Sequence, residues 1–367
     1  MRPTVIEINL SAIQSNLNLV NNLTNNKIVI AVVKADAYGL GSIRVAKALN
    51  EFGVNFFAVA LLEEATLLRD NGIKDKILLL APFMESEIPD LINISVIPTL
   101  VDYHRSKILN DFCYKNNLNI PVHIKVDTGM GRLGVRLDEA FNFIEKIYNL
   151  KNLKIEGIYT HFSDAHTADN SFTNHQINVF TKLIKQIDVL IKESNNFIYH
   201  LANSSAIICY PNSHFNAVRP GLMLYGCYPS SYVEDQIKLS KVISLKTKIV
   251  SIKEIKPGDG VSYDRTFVAK QKTKVAVIPI GYADGYHTTL FNKGEVIINN
   301  IKLPVIGKIC MDYTMIDVTS IGDTNIGDDV ILIGNGITEE EIASKTGLIP
   351  YEVLTGIGKR VPRIYIS

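Results

Sequence analysis

The chain is short of charge imbalance, of cysteine and of long apolar runs, and each shortage closes off a class of function. Among 367 residues, 38 are Lys or Arg and 37 are Asp or Glu, for a formal net charge of +1. No basic stripe stands out, so the field that gathers nucleic acid or an anionic membrane is missing, and neither partner is expected. Runs such as IVIAVV and ILLLAPF fall far short of the roughly 20 apolar residues that a membrane helix needs. The first residues, MRPTVIEINLSAIQ, carry no apolar segment behind a basic start, and no export signal is expected. The four cysteines, Cys113, Cys209, Cys227 and Cys310, form no CxxC pair and have no histidine at metal spacing. They read as reduced thiols of a cytoplasmic protein without a metal site. A small molecule is the expected partner.

What is present is repetition. Hydrophobic residues make up 47% of the chain, enough for a large core, and the length calls for two domains. Short apolar runs recur at Ile28–Val33, Phe56–Ala60, Lys76–Ala81, Ile94–Thr99, Val122–Val126, Ile155–Phe162, Phe197–Ala202 and Asn216–Pro220. They are rich in β-branched and aromatic residues and bounded by turn residues, as buried strands should be. Amphipathic stretches such as IRVAKALNEF and DEAFNFIEKIYN separate them. Eight strand–helix units predict an α/β fold, a (β/α)8 TIM barrel in preference to an open sheet. After about Ser230 the pattern turns to short strands split by Gly-Asp, Asn-Asn and Gly-Asn turns, with only EEEIASKTG helical. The expected division is residues 11–232 as the barrel and 233–367 as a mainly-β domain, with a strand in residues 1–10 pairing into the latter.

Barrel enzymes place their chemistry at the carboxyl ends of the strands. Those ends here offer Lys34, Lys125 with Asp127, His161, Asn203 with Ser204, and Arg219 with Gly221. Each alone has an ordinary structural reading, but together they define one polar mouth. Lys34 follows six apolar residues and precedes DAYGLG; a desolvated lysine beside other cations has a lowered pKa and a nucleophilic amine suited to Schiff-base chemistry. The segment DTGMGRLG contains GxGxxG at Gly129, Gly131 and Gly134. It is not read as a dinucleotide fingerprint, because the next helix is expected near Asp138, beyond the last glycine.

The segments AVVKADAYG, KVDTGMGRLG, HFSDA, ANSSA, VRPGLMLYG, VSYDRT, GYADG, GKICMD and YEVLTGIGKRVPRIY, in this order, resemble the signatures of bacterial alanine racemases from Val5 to Ile366. The resemblance implies a homodimeric pyridoxal 5'-phosphate enzyme that interconverts L- and D-alanine and supplies D-alanine for peptidoglycan. It implies that Lys34 binds the cofactor covalently and serves as one base. Tyr263, from the other subunit, would be the second. Arg219 would donate to the pyridine nitrogen, and His161 would lie against the ring. The phosphate would be held by Ser204, with Asn203 beside it, by the backbone amides of Gly221 and Leu222, and by the hydroxyls of Tyr38 and Tyr351. Arg132 and the Met311–Asp312 segment would take the substrate carboxylate, Met311 through its amide. Lys125 resembles a lysine carbamylated in many relatives, where it pairs with the residue matching Arg132. Tyr282, with Tyr351, would narrow the entrance.

Three positions depart from that pattern: Asp264 follows Tyr263 where glycine is frequent, Leu40 replaces a common histidine, and Asp36 a frequent asparagine. A carboxylate turned toward Tyr263 would hinder its ionisation; one turned elsewhere would not. The alternatives are a serine or broad-specificity racemase, a related decarboxylase of basic amino acids, and a non-catalytic pyridoxal-phosphate carrier. The carrier would lack the β domain with Tyr263 and Met311.

Overall fold

A computed structural model describes residues 2–367. Parallel strands run Ile28–Val29, Ala31–Val32, Phe56–Val59, Lys76–Leu79, Thr99–Leu100, Ile120–Asp127, Leu153–Tyr159, Ile198–His200 and Ala217–Val218. One path leads from 28–29 through 217–218, 198–200, 153–159 and 120–127 to 99–100, and a second joins 31–32, 56–59 and 76–79. The paths meet through the continuous segment around Ile30 and through a parallel bridge between Leu78 and Ile97. The sheet therefore closes on itself as a TIM barrel. Its staves are buried on both faces, as Phe56–Val59 shows at all four residues, because helices cover the outside. The helix Leu137–Tyr148 buries Ala140, Phe143, Ile144 and Ile147, an apolar stripe at helical spacing laid on the sheet.

The run Ile94–Thr99 differs most from its expected extent. Ser95 takes a φ of +54°, closing the helix Ile88–Asn93, and pairing resumes only at Ile97 and Thr99–Leu100. At the glycine-rich segment the helix starts at Leu137, past Gly134. The Asp127 carboxylate accepts from the amides of Gly129 and Gly131 at 2.9 and 3.1 Å, so an aspartate occupies the place where a phosphate would have to sit.

The second domain carries a six-stranded sheet in the order 301–304, 295–298, 329–333, 243–248, 5–9, 363–366, and a three-stranded sheet of 251–255, 273–278 and 314–317. Val5–Asn9 lies antiparallel to Ile243–Lys248 and parallel to Arg363–Ile366, so the two ends of the chain share one sheet. The helix Pro350–Gly356 was not expected from the strand-like reading of this region. Proline opens it, where the missing N–H costs no intrahelical bond, and the helix carries Tyr351 toward the barrel. Among the described residues no helix is long and apolar enough to cross a membrane.

Candidate active site

A cavity of about 610 Å³ opens at the carboxyl ends of the strands, lined by Lys34, Tyr38, Lys125, Arg132, His161, Asn203, Ser204, Arg219, Gly221, Leu222 and Tyr351 among others. Thus the strand-end residues expected at the mouth line one space, of a size typical of small-molecule sites, except Asp127, whose carboxylate is taken by the Gly129 and Gly131 amides.

The backbone after Lys34 is unusual. Ala35, Asp36, Ala37 and Tyr38 have φ of 51°, 54°, 51° and 57°, one turn of left-handed helix made without glycine. Each such residue costs about 1–2 kcal/mol, so neighbours must impose the turn. Glu64 accepts from the Ala35 amide at 2.6 Å and the Ala60 amide at 2.8 Å. Asp36 accepts from the Ser42 amide at 2.7 Å, so aspartate here does the backbone work open to asparagine. Arg363 donates twice to the Gly39 carbonyl, at 3.1 and 3.0 Å. Leu40 is fully buried and its carbonyl accepts from the Tyr365 hydroxyl at 2.9 Å. Glu64 is a buttress of this turn that the sequence did not reveal, since nothing in LLEEATLL ties it to a loop about 30 residues earlier. Glu64→Ala is expected to lower stability by about 1 kcal/mol, the net worth of hydrogen bonds that water can partly replace, and to slow turnover by loosening Lys34. Chemical denaturation with an activity assay checks both.

Burial pushes the Lys34 pKa down, and Arg132 adds to this, with Glu64 opposing. Lys125 is lowered to about 8, first by burial and then by Arg219, Arg132 and Lys34. Burial among these cations also drives His161 well below its usual range, so the imidazole is neutral at physiological pH. A mouth this rich in cations suits a phosphate and a carboxylate.

Arg219 is buried, and burial lowers its pKa only to about 10, so it stays charged. One terminal nitrogen donates to His200 Nδ1 at 2.7 Å, and the other to the Thr160 carbonyl at 2.7 Å and to His161 Nδ1 at 3.3 Å. Among the described residues no protein acceptor takes Nε–H, which leaves one donor for a ligand. The Tyr159 ring lies beneath, 5.0 Å from the guanidinium carbon.

Across the cavity, Ser204 Oγ accepts from the amides of Gly221 and Met223 at 3.0 and 3.2 Å, which fixes the hydroxyl at the start of the turn Leu222–Tyr225. Asn203 accepts from the Ala206 amide at 3.0 Å, capping the helix Ser204–Cys209. A side chain on Gly221 would come within 2.5 Å of the Tyr38 hydroxyl, so glycine lets that hydroxyl reach the turn. The Tyr38 and Tyr351 rings lie 5.8 Å apart. Burial raises both phenols, Tyr351 to about 12, so both are neutral donors.

Apart from Tyr351, the expected β-domain residues are elsewhere. Tyr263, Met311 and Tyr282 are 69%, 52% and 46% exposed, and none of them, nor Asp312, lines the barrel cavity. Their loops touch: Ser262 bonds the Lys308 carbonyl at 2.6 Å and lies 3.4 Å from Cys310 Sγ, while the Met311 carbonyl accepts from the Ala283 amide at 3.1 Å. Asp312 pairs with Arg360 at 2.7 Å. Tyr282 borders a separate cavity with Glu352 instead of narrowing the mouth beside Tyr351. Asp264 is engaged by Lys308, a partner that sequence did not suggest. The chain thus holds these residues outside the cavity that collects the barrel residues.

A barrel mouth with a desolvated lysine, a donor for a ring nitrogen and a hydroxyl-and-amide cradle for a phosphate defines a pyridoxal-phosphate enzyme. The alanine racemase N-terminal domain family matches residues 8–229 and the C-terminal domain family residues 242–365. The chain is 43% identical to the alanine racemase of Halothermothrix orenii, over 99% of this chain and 97% of that protein. It is 41% identical to that of Methanococcus maripaludis, over 99% of each. Its fold superposes on the solved alanine racemase of Clostridium difficile 630 with a TM-score of 0.93 at 37% identity, covering 100% of this chain and 96% of that one. For the structure from Bartonella henselae, which has pyridoxal phosphate covalently bound, the values are 0.91 and 32%, with both chains fully covered at 100%. The chain belongs to the alanine racemase family.

Proposed function

We propose that this chain interconverts L- and D-alanine with two bases, Lys34 of one subunit and Tyr263 of the other, in a cytoplasmic homodimer that supplies D-alanine for peptidoglycan. The reaction and the cofactor follow from membership of the family. The arrangement of the bases is carried by one observation: Lys34 sits in the barrel cavity while Tyr263 of the same chain stands exposed outside it. Inverting a stereocentre requires removing a proton from one face and delivering one to the other. One half-buried lysine supplies one face. A second copy, docked through the β domain, supplies the other, and a two-fold arrangement makes two equal sites. Four free cysteines suit a reducing compartment.

Pyridoxal phosphate, when bound, supplies the conjugated electron-withdrawing ring that acidifies the Cα–H of an amino acid joined to it. The residues present fit that group. Lys34 Nζ provides the attachment point and afterwards a base, its lowered pKa keeping more of the amine neutral. Arg219 Nε–H donates to the ring nitrogen. A guanidinium gives up no proton, so Arg219 would leave the ring nitrogen unprotonated, which would weaken the group as an electron sink and disfavour transamination. Ser204, Tyr38, Tyr351 and the Gly221–Leu222 backbone hold the phosphate end, with Asn203 fixing the turn that carries Ser204. Neutral His161 lies beside the ring without adding charge. Arg132, with Met311 and Asp312 of the second copy, holds the substrate carboxylate, and Tyr282 of that copy helps limit side-chain size. Purified holoenzyme in deuterium oxide is expected to exchange the Cα hydrogen of alanine at the rate of racemisation, and that of serine or lysine far more slowly. Equal rates for all three would reject alanine as the substrate, and carbon dioxide release from lysine would indicate a decarboxylase.

Lys125 serves this site best as a carbamate. Unmodified, it faces Arg132, Arg219 and Lys34 as a like charge; carbamylated, it becomes a carboxylate partner for Arg132. Carbamate forms from the neutral amine. A pKa of about 8 makes half of the amine neutral near pH 8, where a lysine with a pKa of about 10.4 is more than ~99% charged. Incorporation of ¹³C-bicarbonate at Lys125 should therefore rise between pH 7 and 9. A ¹³C spectrum with no carbamate signal at pH 9, or one that persists in Lys125→Ala, would reject the modification.

A further inference from the structure

Behind Arg219 lies a line of polar groups that the chemistry of the mouth leaves unused. Arg219 donates to His200 Nδ1 at 2.7 Å, His200 Nε2 lies 2.9 Å from His123 Nδ1, and His123 Nε2 lies 4.0 Å from Glu156 Oε1. Glu156 accepts from Lys76 at 2.7 Å. Both imidazoles are fully buried. The His200 ring stacks on Tyr159 with centroids 4.6 Å apart. A side chain on Gly157 would come within 2.4 Å of the His123 ring, so the barrel interior is shaped to admit it. The line runs from the strand end at Arg219 toward the opposite end of the barrel, where Lys76 begins its strand.

The protons along this line have only one consistent placement. Guanidinium nitrogens are donors only, so His200 Nδ1 must accept and its proton must be on Nε2. That Nε2–H then donates to His123 Nδ1, and the His123 proton must be on its own Nε2. This last N–H has no hydrogen-bond partner and faces the Glu156 carboxylate at a distance of charge attraction rather than of a hydrogen bond. Burial holds His123 and His200 below their ordinary pKa, which leaves both rings neutral. Glu156, although burial opposes its ionisation, is held at about 2 by His123 and Lys76, so the far end is a fixed negative charge. From Arg219 through His200 to His123, each donor in the line points away from the mouth and toward that charge.

We propose that Glu156 is a positioning residue for the reaction: through the tautomers of His123 and His200, it holds the Arg219 guanidinium where Nε–H meets the ring nitrogen. The proposal rests on the assignment of Arg219 to that nitrogen. Without an anion at the far end, only the donor-only guanidinium of Arg219, two rings away, still favours the Nε2 tautomer of His123. When it moves to Nδ1, His200 must turn its own proton to Nδ1 and meet Arg219 with a donor, and the guanidinium loses its 2.7 Å partner on that ring, keeping the His161 ring and the carbonyls of Thr160, His200 and Leu201.

The test is ¹⁵N magic-angle-spinning NMR of holoenzyme labelled at the histidine ring nitrogens, with the His123 and His200 signals assigned from His123→Asn and His200→Asn. The unmodified enzyme is expected to show both rings as single neutral Nε2–H tautomers. Glu156→Leu should show His200 as a tautomer mixture, with kcat reduced about tenfold and KM changed less than twofold. Glu156→Gln, which can still present an oxygen, should restore the single tautomer and most of kcat. A protonated Nδ1 on His200 in the unmodified enzyme would overturn the proposal without any variant having to fold. An unchanged His200 signal in Glu156→Leu would overturn it as well. Mixed tautomers with an unchanged kcat would overturn Glu156 as a positioning residue, while racemisation of alanine by the same sample would leave the proposed function intact.

Discussion

Replacing Lys34 with alanine is expected to remove both racemisation and the covalently held cofactor. The turnover loss should be at least about 10³-fold, since a positioned general base alone contributes about 10²–10⁴ and the attachment point is lost with it. The purified variant should lack the visible absorbance of a lysine-bound cofactor. Adding methylamine should restore little, because the left-handed turn from Ala35 to Tyr38 presents one amine at one place rather than a free volume. Full activity in Lys34→Ala would remove the barrel cavity from the reaction altogether.

Tyr263→Phe is expected to fail differently. Racemisation should fall by about 10³-fold or more, again the scale of a positioned base, while the cofactor remains bound because Tyr263 does not line its cavity. Lys34 can still remove and return a proton on its own face. In deuterium oxide the variant should therefore exchange the Cα hydrogen of one alanine enantiomer with retention and leave the other nearly untouched. Loss of exchange from both enantiomers would mean that Tyr263 binds or orients substrate rather than acting as a base. Asp264 does not block this role by its placement, since Lys308 engages its carboxylate.

Much of the barrel half was readable from the residue pattern, for physical reasons. Strands covered on both faces must be apolar throughout, so runs such as FFAVA and KILLLA stand out, and their carboxyl ends mark the mouth. Features fixed by tertiary contact were hidden. The left-handed turn after Lys34 uses Ala, Asp, Ala and Tyr, none of which advertises positive φ as glycine does. Glu64 and His123 look like an ordinary helical glutamate and a strand histidine until the barrel closes around them. The helix Pro350–Gly356 is too short for its periodicity to stand out. The placement of Tyr263, Tyr282, Met311 and Asp312 away from the cavity of their own chain could not be read from the pattern either, because a one-chain sequence does not encode which copy a loop will serve.

That division between chains is the centre of the account, and mixing two inactive variants tests it directly. Lys34→Ala and Tyr263→Phe subunits, dissociated and reassociated in equal amounts, should form heterodimers with one site carrying both bases and one carrying neither. Random pairing then restores about one quarter of wild-type activity per subunit, as two-fold symmetry requires. If both bases of each site came from a single chain, every site in the mixture would lack one of them, and subunits shown to have exchanged would recover nothing.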